Sequence, residues 1–92
     1  MCRNIRILHN FQPPTTPEEI RDAALQFVRK VSGINKPSQA DEATFTRAID
    51  EIAASTERLL GNLVARGTVR TREGEREKAR ARWKAREARL QR

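Results

Sequence analysis

The sequence TPEEIRDAALQFVRKVSG at residues 16–33 carries every signal of one amphipathic helix. Thr16 is a capping residue, Pro17 suits the first helical position, and Glu19 completes a capping box. Apolar side chains then recur at steps of four and three, which places them on one stripe of a helix: Ile20, Ala24, Phe27 and Val31. Gly33 can adopt the left-handed conformation that ends a helix. This pattern predicts a helix over 17–32 with one face against a partner.

The partner is predicted to be a second, longer helix over 40–65, which follows a short connection at 34–38. Ser38 can cap it, and Asp41 supplies an acidic side chain for its first turn. A heptad-like seam of nearly three repeats runs along it: Phe45, Ile49, Ile52, Thr56, Leu59 and Leu63. Gly61 interrupts this pattern and allows a close helix approach or a local bend, and Gly67 marks the stop.

The N-terminal segment 1–13 places apolar residues among cationic ones and hints at a short extended element. Because one strand cannot form a sheet alone, we expect an arm that lies on the two helices. The fold class is therefore all-α, a helical hairpin with an extended N-terminal arm and a basic C-terminal helix. We expect these residues to form its core: Ile20, Phe27, Val31, Phe45, Ile49, Ile52, Leu59 and Leu63.

The positive charge is concentrated in the last quarter of the chain. Residues 68–92 hold ten Arg or Lys and four Glu, a net of +6, whereas residues 1–67 have a net of only +1. This asymmetry divides the chain into a helical domain with its arm at 1–67 and a basic tail at 68–92. Within the tail, 68–74 is predicted to be a linker and 75–92 a helix that is marginally stable alone.

A concentrated positive segment favours nucleic acid, an anionic membrane or an acidic protein surface as a partner. The candidate nucleic-acid-binding residues are Arg76, Lys78, Arg80, Arg82, Trp83, Lys84, Arg86 and Arg89. A helix with these cations can follow phosphates, and the single Trp can stack on a base. The alternative is a solvated charged helix tempered by its own Glu residues. A membrane-surface helix needs a larger apolar face than this one has.

The chain contains one cysteine, Cys2, and one histidine, His9. Removal of Met1 would expose a terminal amine beside a possible reactive thiol, whose pKa Arg3 and Arg6 would lower. A metal site needs three or four ligands at suitable spacing, and the sequence shows none, so we expect no metal and no cofactor. A small structural thiol is the favoured interpretation. The lone cysteine and the lack of a signal sequence or a membrane span indicate a cytoplasmic protein.

The segments MCRNIR at 1–6, NFQPPTTPEEI at 10–20, AALQFVRKVSG at 23–33 and KPS at 36–38 resemble a small bacterial family of uncharacterised proteins. The likeness runs through Leu59-Leu60, about two-thirds of the chain. It supplies no activity, but it implies that the arm and the first helix are the family's hallmark. This raises a second basic patch on the body as a candidate: Arg3, Arg6, Arg29, Lys30 and Lys36.

The sequence thus favours a small basic non-enzymatic binding protein, associated with nucleic acid or ribosomes. One alternative is a homo-oligomeric or adaptor module that binds an acidic partner. This alternative draws on the thin core and on the seam from Phe45 to Leu63, which suit a homodimer. An enzyme or a thiol or metal site at Cys2 is the least favoured, because no catalytic or phosphate-binding motif is present.

Overall fold

The computed structural model describes residues 5–90 and confirms the all-α class. Three helices follow one another: α1 (Pro17–Ser32), α2 (Glu42–Asn62) and α3 (Arg72–Leu90). The helices α1 and α2 pack against each other, whereas α3 packs against neither of them. No helix within residues 5–90 is both long enough and apolar enough to cross a bilayer.

The two ends of α1 are as predicted. The Thr16 hydroxyl accepts a hydrogen bond from the Glu19 backbone N–H at 3.2 Å, and the Glu19 carboxylate accepts one from the Thr16 N–H at 2.9 Å. These two bonds form the capping box that satisfies the first free N–H groups of the helix. At the other end Gly33 has φ 72° and donates its N–H to the Arg29 carbonyl at 2.9 Å.

The second helix is shorter than the predicted range of 40–65. Asp41 occupies the N-cap position without a side-chain cap bond, and the Ser38 hydroxyl bonds to the Asp41 carboxylate instead. The helix ends at Asn62, whose side-chain amide donates to the Arg58 carbonyl at 2.8 Å. Gly61 weakens this last turn through its backbone entropy. A Cβ on Gly61 would meet no atom within 4 Å, so no close helix approach requires this glycine.

The core lies between α1 and α2 and is thin. Its buried apolar residues are Ile20, Ala24, Val28, Phe45 and Ile49. Successive buried residues on each helix are four positions apart. The two helices therefore pack through rows of residues at i and i+4, and not through the alternating steps of four and three of a heptad seam. Ile52 is only half-buried at the edge of this core. An ion pair between Arg21 and Asp50 also joins the two helices.

Four of the eight predicted core residues are exposed, so that part of the prediction is wrong. Phe27 is 47 % exposed and Val31 70 %, because Val28 takes the facing position on α1. Leu59 and Leu63 are 56 % and 47 % exposed. The helix α1 has 16 residues and α2 has 21, about 24 and 32 Å at 1.5 Å per residue, so the shorter helix leaves part of the longer one uncovered.

The third helix spans Arg72–Leu90, so it begins three residues before the predicted start at 75 and the predicted linker 68–74 is shorter than expected. Residues 91 and 92 of the predicted helix lie outside the described residues. The Thr71 hydroxyl accepts a hydrogen bond from the Gly74 N–H at 2.9 Å, which is an N-cap contact. Because glycine is unusual in the first turn of a helix, Gly74 makes the sequence of 68–74 typical of a linker. None of the residues of α3 is buried.

The arm pairs with the segment that precedes α3. A parallel bridge joins Phe11 to Arg70, with the Gln12 N–H donating to the Arg70 carbonyl and the Arg70 N–H to the Asn10 carbonyl. Asn10 has φ 62°, a conformation that asparagine tolerates better than most residues, and its side-chain amide donates to the Thr68 carbonyl at 3.3 Å. The arm thus connects the hairpin to the start of α3.

Candidate functional site

Arg72 holds the arm, α1 and α3 together at one point. Its guanidinium donates to both Glu19 carboxylate oxygens, from Nε at 2.9 Å and from Nη2 at 2.6 Å. It also donates to the carbonyls of Pro13 at 2.9 Å and Pro14 at 3.1 Å, and it lies over the Phe11 ring at 5.5 Å. We call these contacts the Arg72 clasp. Only the planar fork of an arginine can make them all at once.

The clasp changes the acidity of Glu19. The hydrogen bonds from Arg72, followed by that from the Thr16 backbone N–H, lower the pKa of Glu19 to about 2. The same carboxylate raises the pKa of Arg72. Because Glu19 both caps α1 and binds the start of α3, its ionised form supports two elements at once.

This arrangement predicts an acid-sensitive fold. The folded pKa lies below the unfolded one, about 4.3 for an ordinary Glu, so the stabilisation is complete above that value and is lost as the pH falls toward about 2. We expect the melting temperature to decrease as the pH is lowered from about 4.3 to about 2. Glu19→Gln should flatten this dependence, whereas Glu18→Gln, one residue away and outside the clasp, should retain it. Parallel acid dependence in both variants would contradict this role of Glu19.

A cleft of about 600 Å³ lies between the arm and α3, directly beside the clasp. We call it the arm cleft. One wall is apolar and comes from the arm, through Ile5, Ile7, Leu8 and Phe11. The other walls are mostly cationic, with side chains from the arm, from the segment before α3 and from α3 itself: Arg6, Arg70, Arg72, Arg76, Lys78 and Arg82.

The two acidic residues of the arm cleft are already used. Glu19 binds Arg72, and Glu75 lies 3.7 Å from Arg70 and 3.4 Å from Lys78. Within residues 5–90, the remaining three arginines of the cleft form no ion pair: Arg6, Arg76 and Arg82. All three are exposed. The cleft therefore presents uncompensated positive charge to solvent.

The cationic surface continues along α3 beyond the cleft. Residues three, four and seven apart share one face of a helix, so Trp83 and Arg86 extend the face that Ala79 and Arg82 present to the cleft. Arg89, seven residues after Arg82, prolongs it to the end of the helix. We call this the cleft face of α3. Arg86 lies over the ring of Trp83 at 6.0 Å, and Trp83 is 57 % exposed.

The opposite face of α3 is close to neutral. It carries Glu73, Glu77, Arg80 and Lys84, and the Arg80 guanidinium is paired with the Glu77 carboxylate. Glu87 stands at the border between the two faces. The cations of α3 therefore do not act as one uniform set, since those on the cleft face, apart from Arg72 and Lys78, are free of ion pairs with the described residues.

The structure unites parts of the two basic patches that the sequence indicated. Arg6 from the body patch lines the same cleft as Arg76, Lys78 and Arg82 from the tail. Arg29, Lys30 and Lys36 lie at or after the end of α1 and do not line it. Cys2 and Arg3 fall outside the described residues. Within 5–90, no group of three or more His, Cys, Asp or Glu side chains is arranged to hold a metal ion.

Sequence reasoning missed the roles of Arg70 and Arg72. Both lie in the predicted linker 68–74, yet the Arg70 side chain donates to the His9 carbonyl at 2.8 Å and Arg72 forms the clasp. Their partners are more than 50 residues away along the chain. A local pattern contains no signal for such a contact.

Comparison with known proteins supplies a family but no activity. No curated protein and no solved structure matches the chain. A conserved family described as "Uncharacterized conserved protein (DUF2277)" matches residues 1–78. This range includes the arm, the hairpin, the Arg72 clasp and the first turns of α3, so the likeness extends beyond Leu60. The chain belongs to the DUF2277 family.

Proposed function

We propose that this protein is a non-enzymatic nucleic-acid-binding protein whose site is the arm cleft together with the cleft face of α3. The observation that carries this proposal is the set of arginines on this surface that form no ion pair within residues 5–90: Arg6, Arg76, Arg82, Arg86 and Arg89. Phosphates spaced along a strand match a row of such cations, and their neutralisation releases condensed counterions.

The arrangement of α3 supports a polyanion as the partner. The helix buries none of its residues, and beyond its first turn, which holds Arg72 and Glu75, its side chains from Arg76 to Leu90 are exposed. At 1.5 Å per residue, the row from Arg76 to Arg89 extends for about 20 Å. The exposed Trp83 within this row adds a surface on which a base can stack.

The test is the binding of a fluorescent mixed-sequence oligonucleotide by the full chain at increasing salt. We expect affinity to fall steeply with salt and a chain without residues 75–92 to lose most of the binding. That variant should keep its hairpin, because α3 contributes no buried residue, and its far-UV spectrum and melting curve provide the control. Poly-glutamate that competes as well as the oligonucleotide at equal charge would overturn the proposal in favour of an acidic protein partner.

Exposed apolar side chains at the end of α2 favour self-association as a second candidate function. Leu59 and Leu63 are about half exposed, and Val64 is 72 % exposed. These residues continue the predicted seam past the point where α1 covers it. A second copy could cover this surface, which would add apolar burial that the thin core of the monomer lacks.

This candidate predicts a dimer at micromolar concentration. Sedimentation equilibrium should give twice the mass of the chain, and Leu59→Ser with Leu63→Ser should return the mass to that of a monomer without loss of helix content. Arg58→Ser, on the same helix but outside this apolar group, is the matched control. A folded wild-type monomer at high concentration would contradict self-association.

A further inference from the structure

We propose that the arm cleft and the cleft face of α3 select single-stranded over double-stranded nucleic acid. This inference rests on the proposed function and specifies the form of the partner. It draws on three properties of the same surface: the position of its cations, the apolar side chains of the arm and the volume of the cleft.

The arginines of α3 that form no ion pair with the described residues all lie on its cleft face. A helix inside the major groove of a duplex has phosphates on both sides, because the groove is about 12 Å wide and admits the whole helix. Cations on opposite sides of the helix would suit that position. Here the side away from the cleft carries Glu73 and Glu77, Arg80 is already paired with Glu77, and Lys84 is the one cation left without an ion pair among the described residues. A single strand needs cations along one side only.

The arm cleft brings apolar side chains of the arm together with cations from the arm and from α3. Ile7 is 56 % exposed there, beside Ile5 and Leu8, and Arg6 and Arg76 lie on the same cleft. The faces of the bases are stacked inside a duplex, but in a single strand they are free to contact apolar and aromatic side chains. A strand with its phosphates on Arg76 and Arg82 can therefore turn its bases toward Ile7 and, further along, toward Trp83.

The volume of the arm cleft also favours a single strand. Its volume of about 600 Å³ falls in the range of small-molecule pockets, about 300–1,000 Å³. Such a space accepts individual nucleotides of a flexible strand. A cleft of this volume cannot enclose a segment of duplex, which would reach only the outer part of the cleft face.

The test compares four probes with the full chain at one salt concentration and equal phosphate number. The probes are a mixed-sequence single-stranded DNA, the RNA of the same sequence, the DNA duplex, and inorganic polyphosphate, which has no bases. We expect one of the single strands to bind about tenfold more tightly than the duplex or polyphosphate, since stacking of a base contributes about 1–3 kcal/mol. It should quench the fluorescence of Trp83, the only tryptophan.

Two exposed substitutions test the contacts without threatening the fold. Trp83→Ala should weaken single-strand binding about tenfold, and Ile7→Ser should weaken it while leaving the salt dependence unchanged, because neither removes a charge. Val31→Ser, at an exposed aliphatic residue outside both this surface and the apolar group at the end of α2, should have no effect. Equal affinity for the single strand and the duplex would overturn this inference and leave the proposed function intact. Salt-insensitive binding, or none, with every probe would overturn both.

Discussion

Replacing Ile49 by Ala will unfold the hairpin or lower its free energy of unfolding by about 2–5 kcal/mol. Ile49 is one of five buried apolar residues in the part of the chain that the structure describes, and Val28 and Phe45 belong to the same core cluster. A chain of this size has little stability in reserve, so a loss within this range is a large fraction of the total. Thermal melting followed by far-UV circular dichroism measures it.

Phe27→Ala is the informative control for this prediction. Phenylalanine is the larger side chain and lies on the predicted stripe of α1, yet it is 47 % exposed. Its truncation should therefore cost only about 1 kcal/mol, a fraction of what full burial of such a side chain contributes. If Phe27→Ala destabilises the protein as much as Ile49→Ala, the core is not formed by the residues spaced four apart on α1 and α2.

The local signals in the sequence were sufficient to predict α1. Its first turn depends on contacts between Thr16 and Glu19, three residues apart, and its end depends on the conformational freedom of Gly33. Contacts of this kind are contained in any short window of the chain. For the same reason the existence of α2 and α3 could be predicted, although the glycine at position 61 and that at position 74 blurred one boundary of each.

The packing could not be predicted from periodicity alone. Phe27 and Val28 are neighbours in sequence, and both fit an amphipathic pattern, so the spacing does not determine which of them faces α2. The exposure of Leu59 and Leu63 depends on the unequal lengths of the two helices. The regular apolar spacing along α2 therefore continues past the part of α2 that the shorter α1 can cover.

The candidate site was partly visible in the sequence. Its charge was evident from the composition, and Arg76, Arg82 and Trp83 were among the residues expected to bind a polyanion. The division of these cations into two faces was not evident, because it depends on where the arm meets α3. That meeting point is fixed by the Arg72 clasp, whose partner Glu19 lies 53 residues earlier in the chain.

Charge reversal on the two faces of α3 will have very different effects on nucleic-acid binding. Arg76→Glu with Arg82→Glu alters the cleft face, whereas Arg80→Glu with Lys84→Glu alters the opposite face by the same net charge. Both pairs change exposed residues of one helix, so general electrostatic attraction weakens equally in the two variants. Any difference between them reports direct contact with phosphates.

The most direct measurement is the dependence of the binding constant on salt for the wild type and these two double variants, with a single-stranded oligonucleotide followed by fluorescence anisotropy. Five phosphate contacts give a slope of log K against log salt of about −3.5 for the wild type. The account predicts that Arg76→Glu with Arg82→Glu makes this slope shallower by about 1.4, the share of two contacts, while Arg80→Glu with Lys84→Glu leaves it unchanged. Equal slopes and equal losses of affinity in the two variants would contradict a binding surface on the cleft face of α3.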